Sequence, residues 1–592
     1  MAERVATYSG TCIGHGDARD QRRVVVEPTP RARTSGSGRE RWVDMVSVTG
    51  AVGTAVEQVQ DAVGAFKVLR RSGLLDPTRP KELLTTVKRA KIIGPCASVV
   101  AHGADEYPEA GAVADERGEL TYGEIDANAN ALANHLLASG VKRGSVIGVI
   151  ARDHRGLLTT MSAAGKAGVR LAMMNTGFGK TQFVEVAERE KIVAMLYDEE
   201  FTDLADALPP ETLRIVTWVD GERPVPEGVR TLDDIVAGGD TSTPAEPDEW
   251  AGLVILTSGT TGLPKGAQRS KLSPFSSALL LDRIPFPQRG TMVIVSPIFH
   301  STGFALWGVG AALGNKAVVM RRFDPEKTLA ALAEHKAEVL VAVPTMLHRM
   351  VALGPDVIKK YDTSALRIIV IAGSALSPTL SEAVQDTFGD VLYNLYGSTE
   401  VAVASVAQPK ELRLAPGTVG RPPVTSRLAL FDDEGRRITG TNVRGRLFVR
   451  NGAPFEGYTD GRNKEIIDGY MSTGDMARFD EHGLLHIDGR DDDMIVSGGE
   501  NVYPLEVENL LAEHPDIDDV AVIGVDDDEF GKRLRAFVVA APHADPSPDD
   551  IKAHVKAHLA RYKVPRDVVF VDELPRNPTG KLVRRQLPTG PL

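Results

Sequence analysis

Residues 257–266 read TSGTTGLPKG and follow the apolar run Leu253-Val254-Ile255-Leu256. Three glycines, three threonines, a serine and a lysine within ten residues present backbone N–H groups, hydroxyls and one ammonium to a small volume. That is the donor set phosphate oxygens require. The stretch is not a Walker A loop, because Gly262 is followed by Leu-Pro-Lys-Gly and no Lys-Ser/Thr pair opens a helix. A plain polar turn is the alternative use of such residues, but a turn needs far fewer of them. Thr257, Ser258, Gly259, Thr260, Thr261, Gly262 and Lys265 are therefore candidate phosphate contacts.

Outward from this stretch, from about Pro108 onward, Val/Ile-rich runs alternate with Ala/Leu-rich helical segments. The runs cover 145–151, 192–197, 213–219, 254–257, 293–296, 339–343 and 368–372. Such alternation predicts parallel sheets covered by helices. Between Gly440 and Asp488 the pattern changes to short strands with glycine-rich turns, as in GRLFVRN (445–451) and GLLHIDG (483–489), predicting a β-rich subdomain. After Arg490 a compact pattern follows, with helices over 504–513 and 548–561 and strands over 520–525, 536–541 and 568–571. The expected fold class is α/β: a large N-terminal lobe of parallel sheets with helices and a β-rich subdomain over 108–489, then a small α+β lobe over 490–592.

Residues 1–44 are rich in Arg, Gly, Ser and Thr, contain no Lys and lack periodicity, which predicts disorder. Residues 45–107 are expected to form a helical flank. Val56, Val59, Val63, Phe66 and Leu69 recur at three- and four-residue steps beside Lys67, Arg70 and Arg71, predicting an amphipathic helix between Val52 and Leu75. It either packs on the main lobe or touches a membrane or partner, and basic residues between Lys81 and Lys91 extend the flank at 52–91.

A chain of 592 residues exceeds what one core organises, so at least two lobes are expected. Its 42% hydrophobic and 25% charged content is ordinary for globular proteins. A net charge of −12 lacks the basic footprint of phosphate-backbone binding, so no nucleic acid partner is expected. Two cysteines, Cys12 and Cys96, build neither a disulfide framework nor a four-thiolate zinc site. No apolar run approaches the roughly 18 residues of a spanning helix, and the start lacks a signal-peptide pattern, so a cytoplasmic location is expected.

Further motifs follow the phosphate stretch in order: YGSTE (396–400), STGD (472–475), GRDDDMIVSGGENVYPLEVE (489–508) and PRNPTGK (575–581). Together, over roughly residues 108–592, they resemble the adenylate-forming superfamily of acyl-CoA synthetases, luciferases and peptide-synthetase adenylation domains. The resemblance implies ATP, Mg2+ and CoA as cofactors and an acid activated as its acyl-adenylate. It implies that Tyr396 and Gly397 lie along adenine with Gly373 and Ser374 of AGSA (372–375), that Thr399 approaches the α-phosphate, and that Glu400 helps hold Mg2+. Asp475 is implied to take both ribose hydroxyls with support from Arg490, and Lys581 to be the adenylation lysine. Asp492 is implied as the hinge of a mobile small lobe, with Gly498, Gly499 and Glu500 at the CoA channel. Each residue has an ordinary alternative as a cap, turn or surface charge.

For the acid, the resemblance puts His300 of SPIFHSTG (296–303) at the pocket entrance, a structural histidine being the alternative. Trp307, in the apolar run from Gly303 to Leu313, either gates an acyl tunnel or is core. No acidic residue opens the AGSA region to suggest an amino-acid substrate. The expectation is a ligase that joins a medium- or long-chain fatty acid to CoA. A fatty acid–AMP ligase serving a carrier protein is the rival, and nothing marks a luciferase-like oxidation. A nonenzymatic acyl-binding scaffold is the alternative of another class, opposed by the presence of Lys265, Thr399, Glu400, Asp475, Arg490 and Lys581 together.

Overall fold

Strands Leu253–Thr257 and Lys265–Arg269 pair antiparallel with Thr257 opposite Lys265, so the glycine- and threonine-rich stretch joins two paired strands. The computed structural model describes residues 57, 59–78, 80–257, 265–269, 276–452, 455–458, 461, 463–497, 500–527, 531–577 and 580–590. The expected phosphate contacts Ser258, Gly259, Thr260, Thr261 and Gly262, the CoA-channel candidates Gly498 and Gly499, and the extension over 1–44 lie outside the described residues.

The hairpin closes a seven-stranded sheet, ordered Arg230–Thr231, Leu213–Trp218, Ile192–Asp198, Val146–Ile150, Arg170–Met173, Leu253–Thr257 and Lys265–Arg269. Every pair but the last is parallel. Apolar strands covered on both faces and joined through helices are what a parallel sheet requires. The crossover Val146–Ile150, helix Arg155–Ala167, Arg170–Met173 is one example.

A second, eight-stranded sheet is ordered Ala402–Ala407, Leu392–Ser398, Ile368–Ile371, Val339–Ala342, Thr291–Ile294, Lys316–Val319, Gly111–Asp115 and Gly118–Thr121. It is parallel in its interior and antiparallel at both edges. Hairpins thus end both edges of this sheet and one edge of the seven-stranded sheet, whose other edge strand is parallel.

The β-rich subdomain is an antiparallel sheet in which Tyr470–Phe479 pairs with Gly445–Arg450, Ile466–Ile467 and Leu485–Arg490. Arg490 ends a strand of this sheet rather than opening the small lobe. In that lobe helices Pro504–Leu511 and Pro548–His558 accompany strands Ile517–Asp527, Gly531–Ala540 and Asp567–Phe570. The first two strands run longer than expected, because backbone pairing extends through polar residues such as Asp526 opposite Lys532.

The N-terminal flank differs most from expectation. Its first helix ends at residue 71, with Ala65, Val68 and Leu69 buried, while Val63 and Phe66 are 48% and 42% exposed. Val68 and Leu69 thus lie on the packed face with Ala65, whereas Val63 and Phe66 do not. Gly64 allows a close approach beside them: a Cβ there would come within 2.5 Å of Val424 Cγ2, and Asp61 pairs with Arg427 at 2.8 Å. Helix Pro80–Glu106 is broken at Gly94 (φ 77), followed by Pro95, and packs on helix Arg155–Ala167. No helix among the described residues is long and apolar enough to cross a membrane.

A Cβ on Gly165 would stand 2.0 Å from the Ile93 carbonyl oxygen, a rigid backbone atom. Gly165→Leu should therefore cost about 1–3 kcal/mol through overpacking. A melting curve superimposing on that of the parent chain would show that the flank does not dock here.

Candidate active site

The site begins with a cross-strand pair. Antiparallel register sets Asp475 opposite Arg490, and Arg490 Nε lies 3.4 Å from Asp475 Oδ1. The Tyr396 hydroxyl donates to the other carboxylate oxygen. Burial raises the Asp475 carboxyl above its ordinary range, against the opposing pull of Arg490, the Tyr396 hydrogen bond, Lys581 and Lys464. Burial, with Asp475 close by, keeps the Tyr396 hydroxyl protonated.

A bulge at Tyr396/Gly397 turns the end of strand Leu392–Ser398 toward this corner. Gly397 is required there, since a Cβ would meet the Ala402 carbonyl oxygen at 1.8 Å. Beyond the bulge, Glu400 accepts hydrogen bonds from Tyr458 at 2.5 Å and Ser398 at 2.7 Å. Burial acts against its charge, but the two hydroxyls and the positive charge of Lys464 outweigh burial and lower its pKa. Glu400 is thus held anionic. Thr399 donates to Ser301 Oγ at 3.3 Å, linking this segment to helix Ser301–Ala312. Gly373 takes φ +95 in the turn after strand Ile368–Ile371, with half-buried Ser374 beside it.

From the small lobe, Lys581 is exposed and its backbone N–H donates to Asn577 Oδ1 at 2.9 Å. The adjoining Gly580 backs onto Thr345 and Val343 of the large lobe, a Cβ there falling 2.1 Å from Thr345 Oγ1. This contact seats the loop that carries Lys581 on the large lobe, and the Lys581 charge acts on Asp475. Arg444 with Glu506 at 3.3 Å and His348 with Asp518 at 3.6 Å also join the lobes.

His300 precedes helix Ser301–Ala312, with its ring against Phe299 at 4.4 Å. Its Nε2 is buried and has no partner among the described residues. Burial pushes the imidazole down to about 4, so the ring is neutral at physiological pH. Trp307, 3% exposed, packs in the main core together with Leu306 and Val309.

Other candidates stand apart. Asp492 is exposed and accepts from Arg490 Nε at 3.1 Å. Glu500 is exposed opposite Ser497, and no described contact joins it to Asp475, Glu400 or Lys581. A two-residue connection between strands is itself a place that favours glycine, so the Gly498–Gly499 pair has a local use besides the expected one. Thr257 and Lys265 are placed by their strands alone.

Sequence reasoning missed several residues. Ser398 lay within YGSTE and could have been read as a cap for Glu400. Tyr458 carries no local signal; it reaches the site through a bridge to Ala267 of the phosphate hairpin. Asp153 was also missed: its buried carboxylate accepts the Ile298 N–H at 3.0 and 3.2 Å, tying the His300 loop to the end of strand Val146–Ile150.

A corner with these groups on these two lobes defines a class. The chain belongs to the AMP-binding enzymes: residues 100–459 match the AMP-binding enzyme domain and 506–581 the AMP-binding enzyme C-terminal domain. Among its relatives is the 3-[(3aS,4S,7aS)-7a-methyl-1,5-dioxo-octahydro-1H-inden-4-yl]propanoyl:CoA ligase of Rhodococcus jostii (strain RHA1), 32% identical over 517 residues, 83% of this chain and 97% of that one. Another is the fatty acid–[acyl-carrier-protein] ligase ScoC of Streptomyces coeruleorubidus, 30% identical over 499 residues, 82% of this chain and 94% of that one. The solved o-succinylbenzoate CoA synthetase of Bacillus subtilis, in complex with its acyl-adenylate intermediate, superimposes with a TM-score of 0.71 at 25% identity, covering 83% of this chain and 99% of that one. The two-lobed α/β fold with a β-rich subdomain is that of the adenylate-forming enzymes, and the chain is an adenylate-forming acid–CoA ligase by family.

Burial pushes the Asp153 carboxyl from an ordinary 3.8 up to about 7. Between those values the folded state holds a proton that the unfolded chain has released, so this group's contribution to stability falls as pH rises. Asp153→Asn, which keeps an acceptor for Ile298, should therefore raise stability more at pH 8 than at pH 5, by about 2–3 kcal/mol. An identical shift in melting temperature at both pH values would contradict the assignment.

Proposed function

We propose that this protein is an ATP-dependent, AMP-forming acid–thiol ligase that activates a medium- or long-chain fatty acid as its acyl-adenylate and transfers the acyl group to CoA. The observation that carries the reading is the seat of Gly580 against Thr345 and Val343, which sets the loop of Lys581 on the large lobe with the lysine charge acting on Asp475.

In this reading Asp475 and Arg490 receive the ribose, Tyr396, Gly397, Gly373 and Ser374 lie along adenine, and the 257–266 stretch with Lys265 holds the outer phosphates. Glu400 suits Mg2+, which characteristically takes one or two carboxylates and completes its shell with phosphate oxygens and water. The ion, when bound, neutralises phosphate charge. Thr399 faces the α-phosphate. Lys581 offsets the repulsion between the acid carboxylate and that phosphate, so a carboxylate oxygen can attack phosphorus while the bond to the bridging oxygen breaks and pyrophosphate leaves.

The small lobe then turns about Asp492 and brings Gly498, Gly499 and Glu500 to line the CoA channel. The CoA thiolate attacks the acyl carbon, and AMP departs. His300, neutral and without a hydrogen-bond partner at Nε2 among the described residues, suits a ring that shifts as an apolar acid enters. Helix Ser301–Ala312 carries no charged residue along the expected acyl path, and Trp307 on it would bound the tunnel.

The Streptomyces relative's name supports a second reading, transfer to a carrier protein, and the Rhodococcus relative's supports a bulkier ring-bearing acid. The exposed stripe Val63, Phe66, Lys67 and Arg70 complements an anionic bilayer that would hold a fatty substrate. Failure to sediment with phosphatidylglycerol vesicles would remove that contact.

Acid-dependent pyrophosphate release should occur across a panel of fatty and ring-bearing acids, peak with medium or long chains, and yield a thioester when CoA is added. Lys581→Ala should slow pyrophosphate release by about a hundredfold or more, while thioester formation from supplied acyl-adenylate persists. Release without a CoA thioester would favour the carrier-protein reading, a peak at ring-bearing acids would displace the fatty acid, and no release with any acid would sink the ligase reading.

A further inference from the structure

Lys464 lies eleven residues before Asp475, in a segment that carries none of the family motifs. Its chain is fixed to the β-rich subdomain: Ser472 donates its backbone N–H to the Glu465 carbonyl at 2.9 Å, and Ile466 pairs with Met471. The half-buried ammonium then reaches back to the Thr473 carbonyl, at 3.5 Å.

Two features separate this lysine from a surface charge. First, its positive charge acts on both Glu400 and Asp475, the carboxylates assigned to Mg2+ and to ribose. Any triphosphate joining a ribose at Asp475 to a cation at Glu400 passes between them. Second, Lys464 has no ion-pair partner among the described residues, whereas its neighbour Arg490 has Asp475 and Asp492. Lys464 Nζ and Arg490 Nη2 stand 3.7 and 3.3 Å from the point where a Cβ on Gly474 would lie. The absent side chain leaves both cations facing the same space. An ammonium there with no ion-pair partner among the described residues, and a backbone carbonyl as its described acceptor, is prepared for an anion.

We propose that Lys464 is a phosphate-binding residue of the adenylation site, holding the α-phosphate of ATP during activation and the phosphate of AMP during acyl transfer. The proposal rests on the site reading above. Its distinct content is that Lys464 is built on the large lobe and remains at the phosphate through both half-reactions, while Lys581 travels with the small lobe.

Binding of AMP and of adenosine to the full-length protein, measured by calorimetry, separates charge recognition from a general disturbance. Lys464→Gln should weaken AMP about tenfold and leave adenosine unchanged, the loss expected for one charge-assisted hydrogen bond, and Lys464→Arg should keep most of the AMP affinity. The same Gln variant should slow CoA-dependent consumption of supplied acyl-adenylate, a step that Lys581→Ala spares. Unchanged AMP affinity, or equal losses for AMP and adenosine, would overturn the proposal. A parent protein that binds AMP but releases no pyrophosphate with any acid would instead defeat the ligase reading, leaving the AMP–adenosine comparison intact.

Discussion

A carboxylate withdrawn from water keeps its charge only if hydrogen bonds and nearby cations replace the lost solvation. Asp475 and Glu400 face that constraint with opposite outcomes. Around Glu400, two hydroxyls and a lysine prevail over burial, so the group is anionic before any ligand arrives. Around Asp475 burial prevails, although a tyrosine hydroxyl, an arginine and two lysines oppose it. A pair of ribose hydroxyls would add the donors that Asp475 lacks, whereas Glu400 is prepared for a cation.

The groups that meet this constraint come from different sheets, which share parts of their apolar cores. The phosphate hairpin belongs to the seven-stranded sheet, and Gly373 and Tyr396 to the eight-stranded one. Asp475 and Lys464 belong to the β-rich sheet and Lys581 to the small lobe. Polar contacts join them: Tyr396 with Asp475 and Tyr458 with Glu400, while Thr399 with Ser301 ties together two segments of the eight-stranded part. The ion pairs that tie the small lobe to the large one are partly exposed, His348 and Asp518 at 42% and 41%. Exposed pairs of this kind contribute about 0–1 kcal/mol, so they can be exchanged for others at little cost when the lobe turns. A buried apolar seam would resist such exchange.

The legible parts of the sequence were those governed by local chemistry. Most parallel strands fall within a residue or two of their Val/Ile runs, because strands covered on both faces must be apolar throughout. The ordered motifs likewise single out Asp475, Arg490, Glu400 and Lys581 as candidates, since each is embedded in residues with distinctive backbone demands. In the first flank helix Leu69 packs as its spacing predicts, while Val63 and Phe66 do not, because the packed face runs through Ala65 and Val68 and beside Gly64, where closeness of approach matters more than side-chain size. Tyr458, Asp153 and Lys464 were invisible for another reason. Each acts on a partner far along the chain, and a lone Tyr, Asp or Lys between motifs has no local signature.

Those long-range contacts also distinguish the cations of the site. Arg490 is committed to Asp475 by strand register and to Asp492 by its own turn, so much of its charge is already compensated. Lys581 is carried on an exposed loop whose seat against Thr345 depends on the orientation of the small lobe. Lys464 is fixed by the pairing of Ile466 with Met471 and needs no lobe movement to stay in place. A reaction in which one phosphate must first accept an attacking carboxylate and later depart as AMP calls for charge of both kinds. In the proposed reading the travelling cation would favour the first step and withdraw to admit the thiol, while the stationary one keeps the phosphate neutralised.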